Sequence, residues 1–216
     1  MLNDTTNNYL KACETWRQKI LGMHIPELLD KLPELQCEED YLTVKLFAKK
    51  FGMDLKTGVI VNLDDFSPAE IISQLNIYTF LWFSSPQARC TDLWVPFREL
   101  SGASPFAMAF EKNVLEPLAM TFSGQTEALS QAYETLGGTR LSHSDAGGLV
   151  KSFDSIPLKF LFWDGDDEFP AQANILYDRS ATDFIHVEST VSLAMEGIER
   201  LAAVAGVAIK GPLFKM

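Results

Sequence analysis

Two polar blocks near the C-terminal end hold most of the side chains able to do chemistry. The first, Trp163-Asp-Gly-Asp-Asp-Glu168, places four carboxylates within five residues. Carboxylates this dense could hold a hard cation through oxygen ligands, but the later glycine and distal glutamate of a calcium loop are missing. The Asp-Gly step equally suits a solvated turn. The second block, Asp178-Arg179-Ser180-Ala-Thr-Asp183-Phe-Ile-His186, follows an apolar strand pattern and precedes a helical one. A helix N-terminus presents unpaired N–H groups, and an arginine adds a two-pronged donor, so this block suits a carboxylate or phosphate. Capping by Ser180 or Asp183, and an Asp178–Arg179 ion pair, are the structural alternatives.

Arg98 follows Trp94, Pro96 and Phe97, and an arginine beside aromatic rings can stack on a flat ligand or hold an anion. The expected pocket combines Arg98, Trp163, Asp166, Glu168, Asp178, Arg179 and His186 around a small, partly anionic ligand. This reading makes the chain a binding or accessory protein. An enzyme using Asp178 or Glu168 with His186 as acid and base is one alternative, and a protein-interaction module is another. Ser142-His143-Ser144-Asp145 mixes nucleophile, base and acid, but neighbouring residues do not face one another as a triad requires, and no GxSxG elbow is present. His24, His143 and His186 lack zinc-ligand spacing, Cys13, Cys37 and Cys90 form no CxxC pair, and no phosphate-cradling glycine motif occurs. The expectation is therefore no metal site, with the cofactor unspecified.

These residues need a scaffold, and the composition supplies one. Of 216 residues, 47% are apolar and 11% aromatic, enough for a core in one domain with a helical extension. The formal charge of -11, from 29 acidic and 18 basic residues, disfavours nucleic acid and anionic membranes. The polar N-terminus, the odd cysteine count and the lack of an apolar run near the roughly 20 residues that span a bilayer point to the cytoplasm.

Helical spacing covers residues 8 to 32, broken by Gly22 and Pro26. Alternation at Leu42, Val44 and Leu46, then at Phe51, Met53 and Leu55, with a turn at Lys56-Thr-Gly58, predicts a meander. Ser67-Pro68 with Glu70 reads as a capping box and Phe66 with Ile71 as its staple, opening a helix with an Ile71, Leu75, Tyr78, Trp82 face. That stripe reads as core. Ser104-Pro105 opens another helix, which Pro117 should kink or end. Helices are expected over 126–136, capped by Gly137-Gly138, and over 187–205, ended by Gly206. A short helix is expected near 146–153, and an antiparallel hairpin over 157–177. Paired strands separated by helices predict an α+β fold in which an antiparallel sheet of hairpins and meander packs with several helices as a single domain. The segment 1–38 is a helical extension packed on a 39–216 core.

Trp94-Val-Pro-Phe-Arg-Glu-Leu, Leu136-Gly-Gly and, above all, Trp163-Asp-Gly-Asp-Asp-Glu-Phe-Pro-Ala-Gln-Ala-Asn-Ile-Leu-Tyr-Asp-Arg-Ser-Ala181 give a resemblance to a bacterial and archaeal family, domain of unknown function 3786, over about residues 40 to 200. The resemblance implies a common fold and a common polar site, with no assigned reaction. Some members look as though they carry an N-terminal iron–sulfur module, which hints at one-carbon or corrinoid metabolism. This chain departs there, because its N-terminal segment is helical and its cysteines are too few.

Overall fold

The computed structural model describes residues 2–211, with side chains from residue 8 onward. Two helices, α1 (Leu2–Leu21) and α2 (Ile25–Lys31), precede a four-stranded antiparallel meander of β1 (Gln36–Glu38), β2 (Tyr41–Leu46), β3 (Lys49–Asp54) and β4 (Ile60–Asn62). Thus β1, on the N-terminal side of residue 39, pairs directly with β2 across it. Gly58, at φ 72°, makes the expected turn into β4. The β2–β3 turn is less ordinary, because Phe47 and Ala48 both adopt positive φ, at 50° and 63°. Such φ values suit glycine or asparagine. Here the strain is offset by burial of the Phe47 ring and by its N–H donating to Ser152 O at 2.8 Å.

Helix α3 (Ile71–Phe83) starts later than its sequence signals predict. Ser67 is not its N-cap. Asn62 N–H donates to Ser67 O and Ala69 N–H to Ile60 O, which keeps Ser67–Ala69 extended against β4. The Ser67 hydroxyl donates to Asp65, and Glu70 becomes the N-cap. Phe66 is exposed at φ 56° beside Tyr41, so the predicted staple is replaced by a turn. Tertiary strand pairing has overridden a local capping signal.

The second sheet has the order β5-β9-β8-β7-β6 and is antiparallel throughout. Its strands are β5 (Trp94–Pro96), β6 (Thr139–Leu141), β7 (Gly147–Phe153), β8 (Ile156–Trp163) and β9 (Gln172–Asp178). The segment expected to be a short helix near 146–153 is therefore a strand. Gly148 packs directly under the buried Tyr133 ring of α6 (Thr126–Thr135), leaving no room for a Cβ, and Val150 and Ser152 point into the core. A helix would forfeit both the pairing with β8 and that contact.

The helix opening at Ser104-Pro105 runs through α4 (Ala107–Phe110), a π-helical turn (Glu111–Leu115) and α5 (Glu116–Phe122). Pro117 lacks an N–H and would leave a carbonyl of the preceding turn unpaired; the wider π turn absorbs that mismatch without breaking the rod. A short helix α7 (Ala181–Phe184) leads into α8 (Val187–Ala205), which Gly206 ends at φ 67° as the sequence predicts. Helix α3 packs between α1 and α8, and α8 also meets α6. Buried apolar side chains form one cluster from Cys13 to Ala202, joining both sheets to these helices in a single α+β domain.

Candidate functional site

Each residue of the expected pocket has a definite place, and the hairpin geometry separates them. Trp163 pairs with Gln172 at one end of β8–β9, whereas Asp178 ends β9 at the other. Six strand steps at about 3.4 Å each put roughly 20 Å between those ends. Trp163, Asp166 and Glu168 therefore sit at the far end from Asp178, Arg179 and His186. Arg98 follows β5, in which Trp94 pairs with Asp178 and Pro96 with Leu176, so the chain has already moved away from the Asp178 end.

The acidic loop is organised by its own backbone. Asp166 accepts from the N–H groups of Phe169 at 2.7 Å and Glu168 at 2.8 Å, which holds its carboxyl below its ordinary value. Asp164 accepts from Gly124 N–H at 2.9 Å and so ties the loop to the turn before α6. Among the described residues no group of three or more His, Cys, Asp or Glu side chains is placed to hold a metal ion.

Asp178 is buried and accepts from Thr91 N–H, the Thr91 hydroxyl, Asp92 N–H, Ser180 N–H and the Ser180 hydroxyl, at 2.6 to 3.1 Å. Burial pushes its carboxyl up, but the Ser180 and Thr91 bonds outweigh that and hold it below its ordinary value. Asp178 thus pins the 91–92 loop to the start of α7. Arg179 projects to solvent while its backbone N–H donates to Leu93 O. Asp178 makes no ion pair with Arg179 among the described residues.

His186 has a different setting. It is the N-cap of α8, and its Nδ1 accepts from Glu188 N–H at 3.3 Å. In the neutral ring the proton then sits on Nε2, so His186 offers a donor on its outer edge. Its ring lies 5.1 Å from that of Phe83, which lies 5.5 Å from Trp16, forming an aromatic row from α8 across α3 to α1. This row borders a cavity of about 580 Å³ enclosed by α1, α3, α8 and the 106–110 segment. Leu75, Phe106, Val191 and Met195 supply much of its apolar wall, and His186, Glu188 and Ser189 its polar edge. Thr79 and Ser192 also line it, but their hydroxyls are committed, Thr79 to Leu75 O and Ser192 to Asn76 Oδ1. Of the seven residues expected from sequence, His186 alone lines this cavity.

The apolar wall was not foreseen. Leu75 belongs to the α3 stripe read as core, and Val191 is a half-buried apolar residue of α8. Helical periodicity identifies a face that avoids water, but a packed neighbour and an empty cavity make the same demand of it.

A family model described as "Domain of unknown function (DUF3786)" matches residues 26–200, and the chain belongs to that family. The match excludes α1, which contributes Tyr9, Ala12 and Trp16 to the cavity wall. No curated protein and no solved structure matches the chain. Among the described residues, no helix is long and apolar enough to cross a membrane.

Proposed function

We propose that this protein binds a small ligand with an apolar body and one acceptor group, a carboxylate or carbonyl, in the cavity between α1, α3 and α8. The observation that carries this reading is the pairing of an aromatic and aliphatic wall with a short polar edge at a helix N-terminus. Ligand pockets of about 300–1,000 Å³ are built this way, with burial giving affinity and a few polar groups giving orientation. The apolar body lies against Trp16, Phe83 and Phe106. The acceptor takes a hydrogen bond from His186 Nε2, and the partial positive charge at the start of α8 favours an anionic head. The ligand thus has one polar end and an otherwise apolar surface.

The test uses octanoate as the probe, with octanol and octylamine as controls. Octanoate should quench or shift tryptophan emission through Trp16 and bind more tightly than either control. Ala109→Trp, which fills the cavity from its wall, should weaken octanoate at least tenfold while the far-UV spectrum is retained. His186→Asn keeps a capping oxygen for α8 but moves the donor, so it should erase the preference for octanoate over octanol. Octanoate binding as tightly to Ala109→Trp as to the parent protein would refute this location.

A further inference from the structure

A second cavity, of about 520 Å³, opens between β3, the 67–70 segment and α8. Its lining is charged where the first is apolar. Glu196 lies against it almost fully buried, accepting from Ser73 Oγ at 2.6 Å, Asn76 Nδ2 at 2.8 Å and Arg200 Nη2 at 2.6 Å. Arg200 and Glu196 therefore neutralise each other. Three other charged side chains line the same cavity: Lys49 from β3, Glu70 before α3 and Glu199 from α8. None of the three has a hydrogen-bonded or ion-paired side-chain partner among the described residues, although both signs border one space. The Lys49 ammonium sits 5.6 Å, and the Arg200 guanidinium 5.8 Å, from the centre of the Phe51 ring, so both cations gather at the β3 side.

We propose that this cavity is a second binding site, for a small zwitterion whose ammonium is received by Glu70 and Glu199 and whose carboxylate is received by Lys49, with Arg200 behind it. A simple cation would leave Lys49 opposed, and a simple anion would meet two carboxylates; only a ligand carrying both charges answers all three groups. The Arg200–Glu196 pair, held by Ser73 and Asn76, fixes the α8 wall from which Glu199 projects, with Lys49 facing it from β3. The setting of Glu199 suits a cationic partner. Glu199 and Glu70 are both exposed at the rim, where partial desolvation against the cavity wall, then the charges of Glu196 and Glu70, push the Glu199 carboxyl above its ordinary value. An ammonium between Glu199 and Glu70 would relieve that repulsion.

Calorimetric titration with glycine, 4-aminobutyrate and 6-aminohexanoate tests the site across a range of charge separation, with n-butylamine and butyrate as single-charge controls. At least one zwitterion should bind ten or more times tighter than both controls. Glu199→Gln and Lys49→Met should each cut that affinity at least tenfold without lowering the unfolding temperature and with octanoate binding in the first cavity unchanged. The proposal is overturned if no zwitterion outperforms the single-charge controls, or if either variant binds like the parent protein.

Discussion

Glu34 gives the sharpest test of the physical reasoning, because replacing it should stabilise the protein. It lies between α2 and β1. One of its oxygens accepts from the Ser155 hydroxyl in the β7–β8 turn, while Oε1 is buried with no hydrogen-bond partner among the described residues. Burial pushes its carboxyl above the ordinary 4.5; the Ser155 bond pulls it back, and the nearby Asp154 charge pushes it up again. The folded protein therefore binds a proton that the unfolded chain has released, over the window from 4.5 to the folded-state value. Stability falls as pH rises through that window, and the penalty is largest above it. Glu34→Gln has no charge to bury and keeps an oxygen for Ser155. A buried polar atom without a partner costs about 1–3 kcal/mol, more when it is charged, and the neutral amide removes the charged part of that cost. The expected net gain is about 1 kcal/mol at pH 7, or roughly 2–4 °C in Tm for a chain of this size. At pH 4, below the window, the gain should vanish. Urea unfolding of both proteins at pH 4, 5, 6 and 7 reads the difference directly. A difference that is constant with pH, or a variant less stable at pH 7, would refute the account of Glu34.

Two further substitutions separate structural roles from binding roles. Asp178→Ala strips the acceptor from hydrogen bonds made by Thr91, Asp92 and Ser180, and should cost about 3 kcal/mol or more in denaturant unfolding. Because the Asp178 carboxyl is held low in the fold, its contribution is present above the ordinary carboxylate range and is lost as pH falls through the folded value, so the penalty should shrink toward acid. Gly197→Ala sets about 1 kcal/mol of helix propensity against a Cβ placed 2.9 Å from Phe160 Cζ and 3.1 Å from Phe47 Cε1. Overpacking of that kind costs about 1–3 kcal/mol, and Phe47 is pinned by its turn, so the net change in thermal unfolding should be a loss. A gain in Tm would mean that the Phe47 ring can move aside.

The elements legible in the sequence are those whose local signals agree with their tertiary setting. Alternation along Tyr41–Leu46, the Lys56-Thr-Gly58 turn and the Val187–Ala205 helix closed by Gly206 each state one preference, and packing endorses it. The misreadings occur where packing overrules a local preference. Ser67-Pro68 carries good N-cap chemistry, yet the edge of β4 claims its backbone. Residues 146–153 read as a short helix, yet Gly148 serves a strand because the Tyr133 ring needs the space. Neither the ring nor the edge strand is visible from the local window.

The two polar blocks, close in sequence, lie at opposite ends of the β8–β9 hairpin. Asp166 is surrounded by donors from its own loop, and Asp178 by donors from Ser180 and the 91–92 loop, which gives a carboxylate reason enough to be there without a ligand. The more telling pattern lies inside apolar helices. Helix α3 carries Ser73 and Asn76 three residues apart, and α8 carries Ser192, Glu196 and Arg200 at four-residue spacing, each set forming one polar row. Both helices are otherwise rich in buried apolar side chains, and a buried polar row must find partners or destabilise the fold. The rows find each other: Ser192 donates to Asn76 Oδ1 at 2.5 Å, Asn76 Nδ2 donates to Glu196 at 2.8 Å, and Glu196 holds Arg200. The chain of bonds starts at the wall of the apolar cavity and ends at the wall of the charged one. Asn76 must present its oxygen to Ser192 and its nitrogen to Glu196, so neither wall can rearrange without disturbing an amide common to both. Complementary polar rows on two apolar helices thus specify which faces meet, and in this protein the same contact builds the partition between its two cavities.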